Sequence, residues 1–166
     1  MNKLTKNRYW VMVFVLAAVL GVGVLTNLAP TIAHAQVTAK TKSLKKAPKS
    51  LRGTWYHYYK SHGLYKVVIK KHRVSQGPVN GKLTTIPSLM IDKFYKKGKR
   101  TIYAFNSKTE PTDATAFAKY TMKIKGKKRH VLVMPQQGAG EKPTVFTRFK
   151  VKRAYFTPLS VQTHMA

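Results

Sequence analysis

The chain has 166 residues, of which 32 are Lys or Arg and only four are Asp or Glu, so its formal net charge at pH 7 is +28. This length fits one domain once a targeting segment is set aside, and the lack of cysteine excludes both a disulfide framework and a lipid anchor on cysteine. The charge imbalance exceeds what solubility requires, and because such a field attracts anions it predicts a polyanionic partner.

The first 35 residues have the pattern of an export signal with a helical apolar centre. A basic start precedes an unbroken apolar run at 10–25, and the tripeptide Ala-His-Ala at 33–35 has the small side chains that signal peptidase accepts. A retained membrane anchor is the alternative, because 10–29 approaches the roughly 20 residues of a transmembrane helix. We predict cleavage before Gln36, which removes three basic residues and no acid and leaves a secreted protein of charge +25 without a stable membrane span.

Residues 36–51 are predicted to be a flexible basic linker. The segment contains little to bury and carries five lysines, a composition typical of solvated, disordered chain. It would serve either as an electrostatic tether to the cell wall or as a spacer behind the processing site. The lysines are Lys40, Lys42, Lys45, Lys46 and Lys49.

Strand-like alternation begins at 54–59 and resumes at 64–70, and a turn is predicted between them. Gln-Gly-Pro at 76–78 and Asn-Gly at 80–81 indicate further turns. The later strand-like runs are 82–86, 88–95, 101–105, 117–125, 129–134 and 144–153. About eight strands at this spacing predict an all-β domain over 52–153, an antiparallel up-and-down meander that closes into a small barrel. Residues 154–166 are predicted to be a weakly patterned C-terminal tail.

The alternation also predicts which side chains face inward. In the run 117–125, apolar residues alternate with lysine and threonine, so the apolar face should line the interior. The interior would be either a filled core, which is the simpler expectation, or a cavity for a small apolar ligand. The predicted lining residues are Tyr65, Val67, Ile69, Tyr120, Met122 and Ile124. The predicted polyanion-binding residues, besides the five linker lysines, are Lys119, Lys123, Lys125, Lys150 and Lys152.

The sequence Gly-Thr-Trp-Tyr at 53–56 resembles the first-strand signature of the calycins, which include lipocalins, fatty-acid-binding proteins and avidin-like proteins. The wider run 50–56 also resembles small secreted proteins of lactic acid bacteria, which are Gram-positive. The calycin resemblance implies a meander barrel in which the tryptophan closes one end beneath a basic side chain from the final strand. A biotin site is not implied, because avidin-like sites use several tryptophans. The residues given structural roles are Gly53, Trp55, Arg148 and Arg153.

No catalytic constellation is evident, so we expect no catalytic residue, no cofactor and no metal. The four acids are not spaced like a glycosidase pair, and the histidine pair His57 and His62 lacks the further ligands that a closed zinc site requires. The Gly-rich loop at 138–140 is not placed between a strand and a helix, as a phosphate-binding loop would be. An enzyme is therefore not expected.

Composition and pattern together predict an exported, cationic, non-enzymatic protein held electrostatically to the anionic cell envelope. The expected partner is a cell-wall polymer of the teichoic acid type. One alternative is a calycin-like extracellular carrier of a small apolar ligand. Another is an extracellular binder of nucleic acid or another polyanion, suggested by Tyr56, Tyr58 and Tyr59 beside Lys60 and Lys66. Export disfavours nucleic acid as the partner.

Overall fold

The computed structural model describes residues 39–110, 114–138 and 140–165, and β-strands dominate these residues. The predicted export signal at 1–35 lies outside them. The described residues form ten strands, one 3-10 turn at Lys49–Leu51 and one short helix, α1, at Ser160–Thr163. The strands are β1 Lys40–Ser43, β2 Gly53–Tyr59, β3 Gly63–Ile69, β4 Val74–Pro78, β5 Thr84–Thr85, β6 Leu89–Tyr95, β7 Ile102–Ser107, β8 Thr115–Ile124, β9 Lys127–Met134 and β10 Thr144–Phe146.

The strands form two antiparallel sheets. The larger has the order β1-β6-β7-β8-β9-β10, and the smaller has the order β2-β3-β4-β5. Tyr56 and Thr147 join them by exchanging backbone hydrogen bonds of 2.7 and 2.8 Å. The predicted all-β, antiparallel architecture is confirmed.

The predicted closed barrel is wrong, because the described strands remain in two separate sheets. The break lies between β5, which has only two residues, and β6. Pro87 lacks a backbone N–H there, and Ser88 takes a positive φ of 44°. Both edges of β6 are taken, by β1 and β7, so β6 does not pair with β5.

One turn prediction and one strand prediction in the domain also require correction. Residues 76–78, predicted as a turn, belong to β4, where Gly77 lets the backbone of Lys82 approach so closely that a Cβ would lie 2.7 Å from its carbonyl oxygen. The predicted strand at 144–153 ends at Phe146. After it, the Thr147 hydroxyl donates to the Phe149 carbonyl at 2.5 Å and the chain turns away.

The main core fills the space between the two sheets. Phe105, Phe117 and Phe146 are at most 1% exposed, and the rings of Phe117 and Phe146 meet edge-to-face with centroids 5.3 Å apart. Trp55 and Leu51 complete this core at the N-terminal side of the domain. Large aromatic side chains therefore occupy the interior.

A second core lies on the opposite face of the larger sheet. Val131, Val133 and Val145 pack there against Val161 and Met165 from the C-terminal segment. The described part of the segment predicted as a weakly patterned C-terminal tail at 154–166 thus covers a sheet face.

The predicted interior lining is divided between the two cores. Tyr65, Val67 and Ile69 belong to the core between the sheets, whereas Tyr120, Met122 and Ile124 belong to the second core. The prediction of one shared interior is therefore wrong. Both faces of β8 are partly covered, and its alternation alone does not show which face meets which layer.

The N-terminal segment is ordered, which corrects the prediction of a flexible linker for its described part. Lys40–Ser43 pairs with β6, and the backbone N–H of Ala47 donates to the carbonyl of Lys71 at 2.9 Å. Ala47 and Leu51 are fully buried. The lysines suit an ordered strand here because β1 is an exposed edge, where lysine discourages pairing with other chains.

Candidate functional site

Arg148 covers the indole ring of Trp55 at one end of the main core. The guanidinium carbon of Arg148 lies 3.6 Å from the Trp55 ring centroid, and Trp55 Nε1 donates to the carbonyl of Leu51 at 2.7 Å. Partial burial lowers the pKa of the Arg148 guanidinium. Of the two basic residues predicted to make this contact, Arg148 makes it, whereas the guanidinium carbon of Arg153 lies 5.3 Å from the Tyr155 ring centroid.

Gly53 has no side chain, and this leaves the space that the Arg148 guanidinium occupies over Trp55. Its φ of +117° is strained for any L side chain, and a Cβ built on it would collide with the Arg148 guanidinium. Gly53 and Trp55 are two residues apart on β2 and so share a face of the strand. Gly53, Trp55 and Arg148 therefore form one packed unit.

A cleft of about 720 Å³ opens beside this unit, and we call it the Trp55 cleft. Its aromatic surface comes from Trp55 and Tyr120, and the guanidinium carbon of Arg100 lies 4.7 Å from the Tyr120 ring centroid. No carboxylate lines it among the described residues. The lining residues are Ser50, Trp55, Arg100, Lys119, Tyr120, Thr121, His130, Val131 and Arg148.

A second cleft, of about 780 Å³, is formed by the N-terminal segment and Lys71, and we call it the N-terminal cleft. Six of its ten lining residues are Lys or Arg, and within the described chain none is acidic. Arg52 is held in place because its Nε and Nη2 both donate to the carbonyl of Ala47, at 2.9 and 2.8 Å. The lining residues are Lys42, Ser43, Leu44, Lys45, Lys46, Ala47, Pro48, Lys49, Arg52 and Lys71.

The structure gathers some of the predicted polyanion-binding lysines and separates others. Lys42, Lys45, Lys46 and Lys49 meet in the N-terminal cleft, and Lys119 lines the Trp55 cleft. The remaining five are exposed and line neither cleft; they are Lys40, Lys123, Lys125, Lys150 and Lys152.

Four cationic or titratable lining residues were not predicted from the sequence: Arg52 and Lys71 in the N-terminal cleft, and Arg100 and His130 in the Trp55 cleft. Lys71 reaches its cleft through the backbone bond between Lys71 and Ala47, which joins segments distant in sequence. Of these four residues, only Arg52 could have been assigned to its cleft from the sequence, because it directly follows the lysine-rich segment.

His57 is a buried side chain in the core rather than a surface ligand. It is 2% exposed, and its Nδ1–H donates to the carbonyl of Val145 at 3.0 Å. Burial lowers the pKa of its imidazole. The described residues contain no group of three or more His, Cys, Asp or Glu side chains placed to hold a metal ion. The expectation of no enzyme and no cofactor stays a prediction.

Comparison of the chain with protein-family models, curated proteins and solved structures gave no match. The resemblance to calycins and to small secreted proteins of lactic acid bacteria therefore stays a prediction. Among the described residues, no helix has the length and apolar character needed to cross a membrane.

Proposed function

We propose that this protein is an exported, non-enzymatic protein that binds an anionic cell-wall polymer of the teichoic acid type through the N-terminal cleft. The observation that carries the proposal is the concentration of six cationic side chains around a single concave surface, with no acidic side chain among its described lining residues. The net charge of the whole chain would draw the polymer in, and the cleft would provide the place where it is held.

The energetics favour a repeating polyanion over a single small anion at this cleft. An exposed ion pair contributes only about 0.2–1 kcal/mol, so one lysine alone would hold little. A polymer with regularly spaced negative charges engages several lysines at once, and each contact after the first is effectively intramolecular. Arg52, fixed by its two bonds to Ala47, loses less conformational entropy on binding than a free side chain.

The main core does not favour the alternative of an internal apolar carrier. Fully buried phenylalanines occupy the space between the sheets. Nucleic acid shares the polyanion chemistry of a wall polymer, so it is best treated as a competing ligand in the same experiment. Lysine does not by itself distinguish these two phosphate-bearing polymers.

The test compares two variants of equal charge. In the first, Lys42, Lys45, Lys46 and Lys49 are replaced by Gln. In the matched control, the same change is made at four exposed lysines that line neither cleft: Lys97, Lys108, Lys127 and Lys128. Four lost contacts of about 0.5 kcal/mol each predict a loss of roughly thirty-fold in affinity for purified walls in the cleft variant.

The control should lose much less, and wild-type binding should weaken as salt is raised and on walls stripped of teichoic acid. Equal losses in the two variants would show that only total charge matters and would contradict a role for the cleft. Salt-independent binding, or equal binding to stripped walls, would contradict the proposal as a whole. Tighter binding to DNA than to walls at equal salt would favour the nucleic-acid alternative.

A further inference from the structure

The Trp55 cleft shares no lining residue with the N-terminal cleft and differs from it in construction. The cations of the N-terminal cleft lie mainly on one short chain segment. Those of the Trp55 cleft come from separate parts of the larger sheet: Arg100 before β7, Lys119 on β8 and Arg148 after β10. Only the folded sheet brings these three charges together.

Two of the three cations are positioned by aromatic rings. Arg148 lies over Trp55 with 3.6 Å between the guanidinium carbon and the ring centroid, and Arg100 lies over Tyr120 with 4.7 Å between the corresponding points. Stacking restrains a guanidinium while leaving its N–H groups at the edge, where they can donate to a ligand. The arginine donors are therefore partly ordered before any ligand binds.

Two further hydrogen-bonding side chains complete the wall of the cleft. The hydroxyl of Thr121 and Nδ1 of His130 are 3.0 Å apart and bonded to each other, which leaves Nε2 of His130 outside this bond. Both residues lie in the same cross-strand pair of β8 and β9. The cleft thus combines three permanent cations, a second kind of donor and an aromatic surface.

We propose that the Trp55 cleft is a binding site for a phosphate group, separate from the polymer-binding surface. Three cations without an acidic neighbour among the described lining residues disfavour an apolar or neutral ligand, because such a ligand would displace their water without giving them a partner. A carboxylate has two oxygens and one charge, whereas a phosphate monoester carries up to two charges and three strong acceptor oxygens. Arginine forks match that geometry with paired hydrogen bonds.

The phosphate could come from a free monoester or from a diester within a polymer, and titration distinguishes the two sources. Isothermal titration calorimetry on the full chain at physiological salt would use glycerol 3-phosphate as the monoester and dimethyl phosphate as the diester. Glycerol and acetate serve as controls for the carbon chain and for a simple carboxylate. We expect saturable binding of at least one phosphate compound, and the tighter one identifies the source.

Substitutions of single cations test whether phosphate binds in the Trp55 cleft. Lys119→Gln and Arg100→Gln should each weaken phosphate binding by about ten-fold, the loss expected for one charge-assisted hydrogen bond. Lys123→Gln is the matched control, because it removes the same charge from a lysine outside the cleft that lies four positions from Lys119 on the same face of β8. Arg148 is left unchanged because its contact with Trp55 also supports the fold.

Three outcomes would overturn the proposal: no saturable heat with either phosphate compound, acetate binding as tight as phosphate binding, or an equal loss in Lys123→Gln and Lys119→Gln. None of these outcomes bears on the N-terminal cleft, whose variants retain every residue of the Trp55 cleft. Conversely, loss of wall binding in the N-terminal cleft variant would leave phosphate affinity unchanged. The two proposals can therefore fail separately.

Discussion

The guanidinium carbon of Arg148 lies 3.6 Å from the ring centroid of Trp55 and covers one end of the main core. Trp55 is 3% exposed, so the stacked cation takes the place of solvent above the indole. A contact of this kind contributes roughly 0.5–2 kcal/mol, with the higher values for desolvated pairs. Gly53 is the neighbour whose missing side chain makes room for it.

Replacing Gly53 by Ala should destabilise the protein more than the same change at another glycine with positive φ. Gly63, at φ +72°, has nothing within 4 Å of its Cβ position, so Gly63→Ala should cost only the backbone strain of about 1 kcal/mol. Gly53→Ala adds displacement of Arg148, and we expect a total of about 2–3 kcal/mol. Urea unfolding of both variants measures the difference.

A double-mutant cycle checks the cause of that difference. In an Arg148→Ala background the guanidinium is absent, so Gly53→Ala should lose about 1–2 kcal/mol of its cost. If the cost of Gly53→Ala is the same with and without Arg148, the destabilisation comes from the backbone alone.

Trp55→Ala should be among the most disruptive single changes in the main core. It removes a large buried side chain, its hydrogen bond to Leu51 and the surface on which Arg148 stacks. The expected loss is about 3–5 kcal/mol in the free energy of unfolding. Binding of the still-folded fraction to cell walls should be unchanged, because Trp55 does not line the N-terminal cleft. A parallel fall in wall affinity would show that packing around Trp55 is coupled to the N-terminal cleft.

Leu51→Ala tests whether the N-terminal segment belongs to the core. Leu51 is fully buried, so truncation should cost about 2–5 kcal/mol. Leu159→Ala is the matched control, because Leu159 is 41% exposed and should cost less than about 1 kcal/mol. Thermal and urea unfolding of the pair measure the contrast. Equal, small effects would mean that the segment is the flexible linker that its composition predicts.

Stability should fall as the pH drops below about 6.5, and His57 should be one cause. Its folded-state pKa is lowered by burial, so the unfolded chain takes up the proton first, at its ordinary pKa of about 6.5. The stabilising contribution of the neutral ring is therefore complete above that pH and is lost as the pH falls through the lower, folded-state pKa. Urea unfolding between pH 7.5 and 4.5 follows this loss.

His57→Gln should flatten that pH dependence, because glutamine can still donate to the carbonyl of Val145 but does not take up a proton. His72→Gln is the control, since His72 is exposed. A pH dependence that survives in His57→Gln would assign the effect to other groups.

The local parts of the fold were predictable from the sequence, whereas the pairing of distant segments was not. The β2–β3 hairpin follows from its alternating aromatic and β-branched residues and its Gly63 turn. By contrast, β1 is fully exposed, so no hydrophobic pattern marks it as a strand. Its order comes from pairing with β6, about fifty residues later.

The candidate sites show the same division. Composition alone identifies the lysine-rich segment as a candidate binding region, and four of its lysines line one cleft. The sequence does not predict the Trp55 cleft, because Arg100 and Lys119 lie 19 positions apart and come together only in the folded sheet. Alternation in β8 correctly separated two faces, but Phe117, on the lysine-bearing face, is fully buried in the main core.

The backbone pair between Tyr56 and Thr147 has a kinetic consequence. These residues are 91 positions apart, so joining the two sheets requires closure of a very long loop. Proteins dominated by such distant contacts fold on a scale of roughly milliseconds to seconds. Translation must also proceed past residue 147 before the pair can form. The two sheets of a newly made chain would thus stay unjoined for an interval, a delay that would suit the proposed export.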